Sequence, residues 1–357
     1  MKIESLNLNN FMLFESLDID FSKNINIISG ENNTGKTAIM KVLYSTLKGC
    51  NNLKQSKKEF TKKNIEEFIV EKFQGCFRPD NDSIGRLVSR KVGSSNCDIN
   101  IFFEDHNEID IKFGSKQKNH LDINYEKIKN INSSEQVFIP PKEIISVSNF
   151  VSLYEDYHID FEETYYDLAK LLQKPLKKGS NKREQNKVLK NFEKIVNGKI
   201  NQKEGKFYLD VLGSGKFEMG LVSEGYRKLS TIIYLILSGS LNENSILFWD
   251  EPETNMNPKM IKPMTDAILE LAKMGIQIFI TTHDYFIQQS FNLAASFPKE
   301  SGYKGDIKFF SLYRDAENNV KCEQASLLSD LEHNSVMDEF DELYNRELGY
   351  IYDNKWR

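Results

Sequence analysis

The segment Gly30-Glu31-Asn32-Asn33-Thr34-Gly35-Lys36-Thr37 spells G-x-x-x-x-G-K-T and follows the strand-like run Ile25-Asn26-Ile27-Ile28. Such a pattern commits the chain to a strand, a glycine-rich turn and a helix in succession, the setting of a phosphate-binding loop. Gly30 and Gly35 let the backbone curl so that successive N–H groups converge on phosphate oxygens. The helix starting near Lys36 adds its positive end. Lys36 is expected to reach the β- and γ-phosphates, and the Thr37 hydroxyl to ligate Mg²⁺. The expected nucleotide set is Gly30, Glu31, Asn32, Asn33, Thr34, Gly35, Lys36, Thr37 and Ala38.

With 357 residues there is ample chain for one extended α/β domain or two smaller ones. Cys50, Cys76, Cys97 and Cys322 lie far apart with no C-x-x-C pair, so they read as buried or free thiols and exclude a zinc or disulfide framework. The start, MKIESLNLNN, lacks the apolar stretch of a signal peptide, and the run Leu229–Leu237 is too short to span a bilayer. A cytoplasmic chain with no membrane partner is expected. The net charge of −5 is unevenly spread: Lys170 to Lys206 holds twelve Lys/Arg against three acidic residues, while the stretch after Asp330 is acidic.

Ile3, Leu6 and Leu8, then Leu17, Ile19 and Phe21, alternate with polar residues as a strand pair would. A helix is expected over Thr37–Leu47, ending near Gly49; Asn51–Lys72 reads as charged and helical, followed by a turn at Gly75 and Pro79. Strands are expected at Leu87–Val92, Asp98–Phe103, Ile109–Phe113 and Val137–Ile139, the last stopped by Pro140-Pro141. From Phe150 to Lys199 the pattern is helical, with breaks at Pro175 and Gly179-Ser180-Asn181. Lys206–Val211 and Lys216–Leu221 read as a hairpin turning at Gly213-Ser214-Gly215, followed by a helix over Tyr226–Leu237. Ile246–Trp249 and Ile276–Ile280 are short apolar runs typical of central parallel strands, joined by a crossover helix over Ile261–Met274.

A second constellation concerns chemistry. Ile246-Leu247-Phe248-Trp249-Asp250-Glu251-Pro252-Glu253 ends an apolar strand in two adjacent carboxylates, at the sheet edge where α/β proteins bind ligands. Asp250 is expected to hold Mg²⁺ and Glu251 to act as general base on the attacking water. Ile278-Phe279-Ile280-Thr281-Thr282-His283-Asp284 supplies another such edge, with His283 positioned to sense the γ-phosphate.

These motifs resemble the ATP-binding-cassette ATPases: Walker A at Gly30–Thr37, Walker B at Ile246–Glu251 and a switch histidine, His283. Val222-Ser223-Glu224-Gly225-Tyr226-Arg227-Lys228 resembles their signature motif, and Asn255-Met256-Asn257-Pro258 their D-loop. Asp-Glu-Pro-Glu at Asp250–Glu253 and the opening Leu6-Asn7-Leu8-Asn9-Asn10-Phe11 are similar to the SMC, RecF and OLD branch. There are departures. Met12 and Leu13 stand where many relatives carry an arginine, and Pro140-Pro141-Lys142-Glu143 occupies the place of the Q-loop. No long coiled coil interrupts the head, and too little chain follows His283 for a Toprim nuclease.

The resemblance implies an α/β P-loop NTPase of the ABC type, a mixed sheet flanked by helices with a helical insertion. It implies an N-terminal lobe over 1–149, a basic insertion over 150–205, a C-terminal lobe over 206–320 and an acidic helical tail over 321–357. It implies ATP hydrolysis with ATP and Mg²⁺, and a homodimer sandwiching two ATP molecules. Each site would take Lys36, Thr37, Asp250, Glu251 and His283 from one chain and Ser223 and Gly225 from the other. The expected role is an SMC/OLD-like switch that senses DNA or RNA through Lys170–Lys206 and regulates a separately encoded nuclease or toxin in anti-phage defence. The alternatives are a RecF-like repair ATPase and, less favoured, a transporter subunit. Phe340, Leu343 and Tyr344, at helical spacing in the acidic tail, suit either a docking helix or a cover for the chain's own core.

Overall fold

Every residue of Ile25–Gly30 (β3) is buried, as in a strand covered on both faces, with its polar Asn26 side chain bonded to the Ser22 backbone and the Ser29 hydroxyl to the Phe310 carbonyl. In the computed structural model, which describes residues 2–90, 93–124, 134–177 and 183–352, β3 lies inside a six-stranded sheet. Its order is β14 (Val320–Ala325), β13 (Ile307–Arg314), β3, β12 (Gln277–Thr281), β11 (Ser245–Asp250) and β7 (Glu135–Ile139). All neighbours are parallel except the β13–β14 hairpin. The ends of β3, β11 and β12 therefore share one edge.

Period-two burial divides this sheet between two cores. Leu247 and Trp249 of β11, with Ile278 and Ile280 of β12, pack into a core shared with the helices on one face. Ile246, Phe248 and Phe279 pack into the other, with helix α1 (Lys36–Gln55) and a five-stranded antiparallel sheet. That second sheet runs β2 (Phe14–Asp20), β1 (Ile3–Phe11), β4 (Asn96–Phe103), β5 (Glu108–Gly114) and β6 (Asp122–Ile123). Gln277 stitches the two sheets: its buried amide accepts from the Ile3 N–H and donates to the carbonyls of Ile3 and Ser22. Phe248, fully buried between Phe138 and Phe279, is a position where truncation to alanine costs about 3–5 kcal/mol.

The expected ABC-type head, a mixed sheet flanked by helices, is the fold observed. Several local expectations need correction. Helix α1 does not stop near Gly49 but runs to Gln55, and helix α2 (Lys62–Phe77) starts only after Thr61, whose side chain accepts from the Asn64 N–H. Gly49 serves helix contact instead of termination: a Cβ there would sit 2.9 Å from the Ile69 Cα of α2. Leu87–Val92 is not a strand. Ile84–Leu87 forms a 3₁₀ turn whose Leu87 carbonyl accepts from the Met12 N–H, Val88 makes one bridge to Phe11, and 91–92 lie outside the described residues.

The helical stretch after Phe150 resolves into helices Phe150–Tyr157, Glu163–Gln173 and Arg183–Ile195. It ends sooner than expected, because Asn197 adopts a left-handed conformation and strand β8 (Gly198–Lys203) follows. Strand β8 pairs with β9 (Lys206–Val211), which pairs with β10 (Gly215–Glu218), so the expected hairpin is part of a three-stranded sheet. The divisions expected at 205/206 and 320/321 thus fall within the β8–β9 hairpin and at the start of β14. The break at Gly179-Ser180-Asn181 lies outside the described residues. The C-terminal helix Ser335–Tyr352 buries none of its residues, so it does not cover the core; Phe340 stacks on Tyr285 at 4.4 Å. Among the described residues no helix is long and apolar enough to cross a membrane.

Candidate nucleotide site

Gly30 closes β3 with φ 139°, and a Cβ there would lie 2.2 Å from the Leu312 carbonyl oxygen of β13. Gly35 has φ 93° and rests on the Phe14 ring, 2.5 Å from where a Cβ would be. Both positions exclude any side chain, which fixes the curl of the loop. Glu31, Asn32 and Asn33 are exposed, Thr34 is buried and donates to the Glu31 carbonyl, and Ala38 is buried in the first turn of α1.

Lys36 folds over this loop, its Nζ donating to the carbonyls of Gly30 and Glu31 at 2.7 and 2.8 Å. Burial lowers the Lys36 ammonium pKa against the opposing pull of Glu251, Asp250 and Glu253. The Thr37 hydroxyl donates to the two Asp250 oxygens at 3.1 and 3.0 Å. Asp250 is 2% exposed and also accepts from the Thr281 hydroxyl. Its carboxyl is pushed up by burial, with the Thr281 and Thr37 hydrogen bonds working against the shift. A buried carboxylate beside a hydroxyl, with no cation paired to it among the described residues, is a donor set suited to a hard divalent cation.

Glu251 stands in the left-handed region, φ 47°, a conformation costing a non-glycine residue about 1–3 kcal/mol. Its N–H reaches the carbonyl and hydroxyl oxygens of Thr281, each at 3.2 Å, and its Oε2 accepts from the Thr254 hydroxyl at 3.3 Å. His283 Nδ1 lies 3.4 Å from Glu251 Oε1. Glu253 organises this histidine: its Oε1 accepts from the Thr282 hydroxyl at 2.6 Å and from the His283 N–H at 3.2 Å. Lys36, Thr37, Asp250, Glu251 and His283 thus meet at one sheet edge.

Ser223 and Gly225 open the helix Glu224–Leu237. Ser223 is its N-cap residue and is exposed, yet its side chain makes no capping hydrogen bond. Gly225 packs on Met256, and Asn255 Nδ2 donates to Glu224 Oε2 at 2.9 Å, so the D-loop is held against this helix. Arg227 pairs with Glu143 at 3.0 Å, which ties the same helix to the Pro140–Glu143 turn.

Sequence reasoning missed several contributors. Thr281, Thr282 and Glu253 stood inside quoted motifs without a role. Arg314, whose Nη2 donates to the Asn33 carbonyl at 2.9 Å, gave no signal, because β13 meets the loop only in three dimensions. It brings a guanidinium to a loop whose neighbouring turn, at Met12 and Leu13, has none.

Residues 25–287 match the family described as "AAA domain, putative AbiEii toxin, Type IV TA system". The chain belongs to this family. Among solved structures, this AAA-family chain is similar to an Smc head bound to the C-terminal winged-helix domain of ScpA, at TM-score 0.57 and 15% identity, over 92% of this chain and 99% of that one. It is also similar to a Pyrococcus furiosus Smc head with an extended coiled coil bound to the ScpA C-terminal domain, at TM-score 0.51 and 14% identity, over 96% and 99%. A stretch of 123 residues is 28% identical to the DNA replication and repair protein RecF of Francisella tularensis subsp. mediasiatica, covering 34% of this chain. The matched stretch spans 31% of that curated relative's length. The family match and the Smc-head likeness together give an AAA-domain chain with an Smc-head-like α/β fold.

Proposed function

We propose that this chain hydrolyses ATP as a switch between a dimer closed on two nucleotides and separated subunits. The observation that carries the reading is the meeting of Lys36, Thr37, Asp250, Glu251 and His283 around one loop, with an uncommitted Ser223 hydroxyl at a helix start. Lys36 would bind the β- and γ-phosphates together with the N–H groups of the loop. Thr37 and Asp250 would hold Mg²⁺, which offsets phosphate charge as the bond to the leaving ADP lengthens. Glu251 would take a proton from the water whose oxygen attacks the γ-phosphorus, and His283 would hold that carboxylate and the phosphate in register. Ser223 and Gly225, at a helix start, would meet the γ-phosphate on a second copy. Loss of that phosphate then removes the bridge between copies.

In this reading 1–149 and 206–320 are the two lobes of the head, 150–205 the basic insertion and 321–357 the acidic tail. The biological role we propose is regulation of a separately encoded nuclease or toxin in anti-phage defence, with DNA or RNA met at Lys170–Lys206. The family's description, a "putative AbiEii toxin" of a toxin–antitoxin system, supports a role beside a second gene product, without naming which of the two carries the toxic activity. The RecF stretch favours a second reading, a DNA-repair clamp. Steep loss of DNA affinity with salt, without dependence on a co-purifying operon partner, would favour the clamp.

Glu251→Gln tests the core of the proposal. It should bind ATP as tightly as the unaltered chain, lose at least 100-fold in turnover, and accumulate an ATP-dependent dimer in light scattering. Retained turnover, or a monomer in saturating ATP, overturns it.

A further inference from the structure

Lys228 lies in the second turn of the helix that Ser223 opens and is 1% exposed. An ammonium at such depth is costly unless its protons find acceptors, and a residue placed only for packing would be apolar. The acceptor it does find is specific: Nζ donates to the main-chain carbonyl of Glu251 at 3.1 Å. Glu224, Glu253, Glu251 and Asp250 all act on it through space, yet among the described residues it has no carboxylate in hydrogen-bond contact. The carbonyl it holds belongs to the one carboxylate of the site whose backbone is left-handed. That conformation needs an external restraint to persist.

The same helix is braced on the D-loop through Glu224 and Asn255, and on the Pro140–Glu143 turn through Arg227 and Glu143. A small displacement at its N-terminus therefore reaches the Glu251 peptide through a rigid element and one charged hydrogen bond. We propose that Lys228 is a positioning residue: it fixes the Glu251 peptide, so that the aim of the water-activating carboxylate depends on what Ser223 and Gly225 touch. This rests on the reading above, in which Glu251 is the base and Ser223 meets the nucleotide of a second copy. It adds a link between the two sites of the sandwich, because each chain's signature helix would report on one nucleotide and steer hydrolysis of the other.

The test uses the full chain with Lys228→Met, Lys228→Gln and Lys228→Arg, beside Glu251→Gln. ATPase kcat and KM are measured, with the affinity for a non-hydrolysable ATP analogue by calorimetry. Lys228→Met should keep analogue affinity within about threefold while kcat falls about 10- to 100-fold, as expected for loss of a charged hydrogen bond that acts on the transition state. Lys228→Arg should recover most of kcat, and Lys228→Gln less. Unchanged kcat in Lys228→Met, or equal losses in affinity and kcat, overturns the proposal. Should Lys228→Met not fold, the order of Arg above Gln decides, and equal kcat in those two overturns it. Full turnover in Glu251→Gln overturns this proposal together with the function it rests on. A dead Glu251→Gln beside a fully active Lys228→Met overturns the role of Lys228 alone.

Discussion

The Thr37 hydroxyl bonds both carboxylate oxygens of Asp250, at 3.1 and 3.0 Å, across a sequence separation of 213. Thr281, at the end of the neighbouring strand, donates to the same carboxylate. A ligating carboxylate keeps its aim through such partners, and their loss typically weakens metal affinity 10- to 100-fold. Thr281→Val, which keeps the shape and removes the donor, should raise the Mg²⁺ concentration for half-maximal ATPase activity about tenfold. Excess EDTA should abolish activity in both proteins. A Mg²⁺ titration of turnover checks this, and an unchanged midpoint would remove Thr281 from the site.

Ser223 offers a cleaner test of association. Its side chain is exposed and caps nothing within its own chain, so Ser223→Arg should alter stability by less than about 0.5 kcal/mol. Combined with Glu251→Gln, it should bind ATP within about threefold of the parent yet remain monomeric at saturating ATP. Multi-angle light scattering reads the result directly.

Lys72 of α2 holds the helix Glu163–Gln173 through Glu163 and Asp167, at 2.6 and 2.7 Å. Asp167 also accepts from the Tyr44 hydroxyl at 2.7 Å. Lys72→Met would leave the buried Asp167 and the partly buried Glu163 without their cation, at a cost of about 3 kcal/mol in urea unfolding. Burial disfavours the Lys72 ammonium, but Asp167 and Glu163 outweigh it and its pKa is raised. A raised ammonium pKa contributes in full below the unfolded value and is lost only as pH climbs through the folded one. The Lys72→Met deficit should therefore stay flat between about pH 6 and 9. A deficit that shrinks within that window would contradict the pairing.

The thiols give a probe of the core. Burial pushes Cys50 and Cys322 up to about 12 and raises Cys76 and Cys97 as well. Because the thiolate is the reacting species, the buried Cys50, Cys76 and Cys97 should resist Ellman's reagent at pH 8 in the native chain and react promptly in urea, with the part-buried Cys322 the first of the four to label. Raising the pH from 7 to 9 should speed labelling of the unfolded chain about tenfold or more and leave the native chain nearly unchanged.

Legibility followed the range of the determining force. Ile246–Trp249 and Ile276–Ile280 are readable as central strands because runs so largely apolar have no solvent face to offer, even with Gln277 inside the second. The helix over Ile261–Met274 was readable from its period, and the structure extends it back to Pro258, behind the Asn257 cap. Strands β13 and β14 carry no signature in their residues alone, and β8 begins inside a stretch whose pattern is helical, because each is defined by the partner it pairs with. Gly49 looked like a helix end, although its meaning lies in the backbone of α2 passing beside it.

From residue order alone came everything that depends on φ preference and period: a loop that must curl at Gly30 and Gly35, strands that end in Asp250-Glu251 and Thr281-Thr282-His283, and a helix over Tyr226–Leu237, which the structure starts at Glu224 behind Ser223. Folding in three dimensions decided which of these ends meet. Lys228 reaches the Glu251 carbonyl, Glu253 gathers Thr282 and His283, and Arg314 reaches Asn33 across a separation of 281. A hydrogen bond depends on position within a few tenths of an ångström, and only the register of packed strands sets that for residues hundreds of places apart.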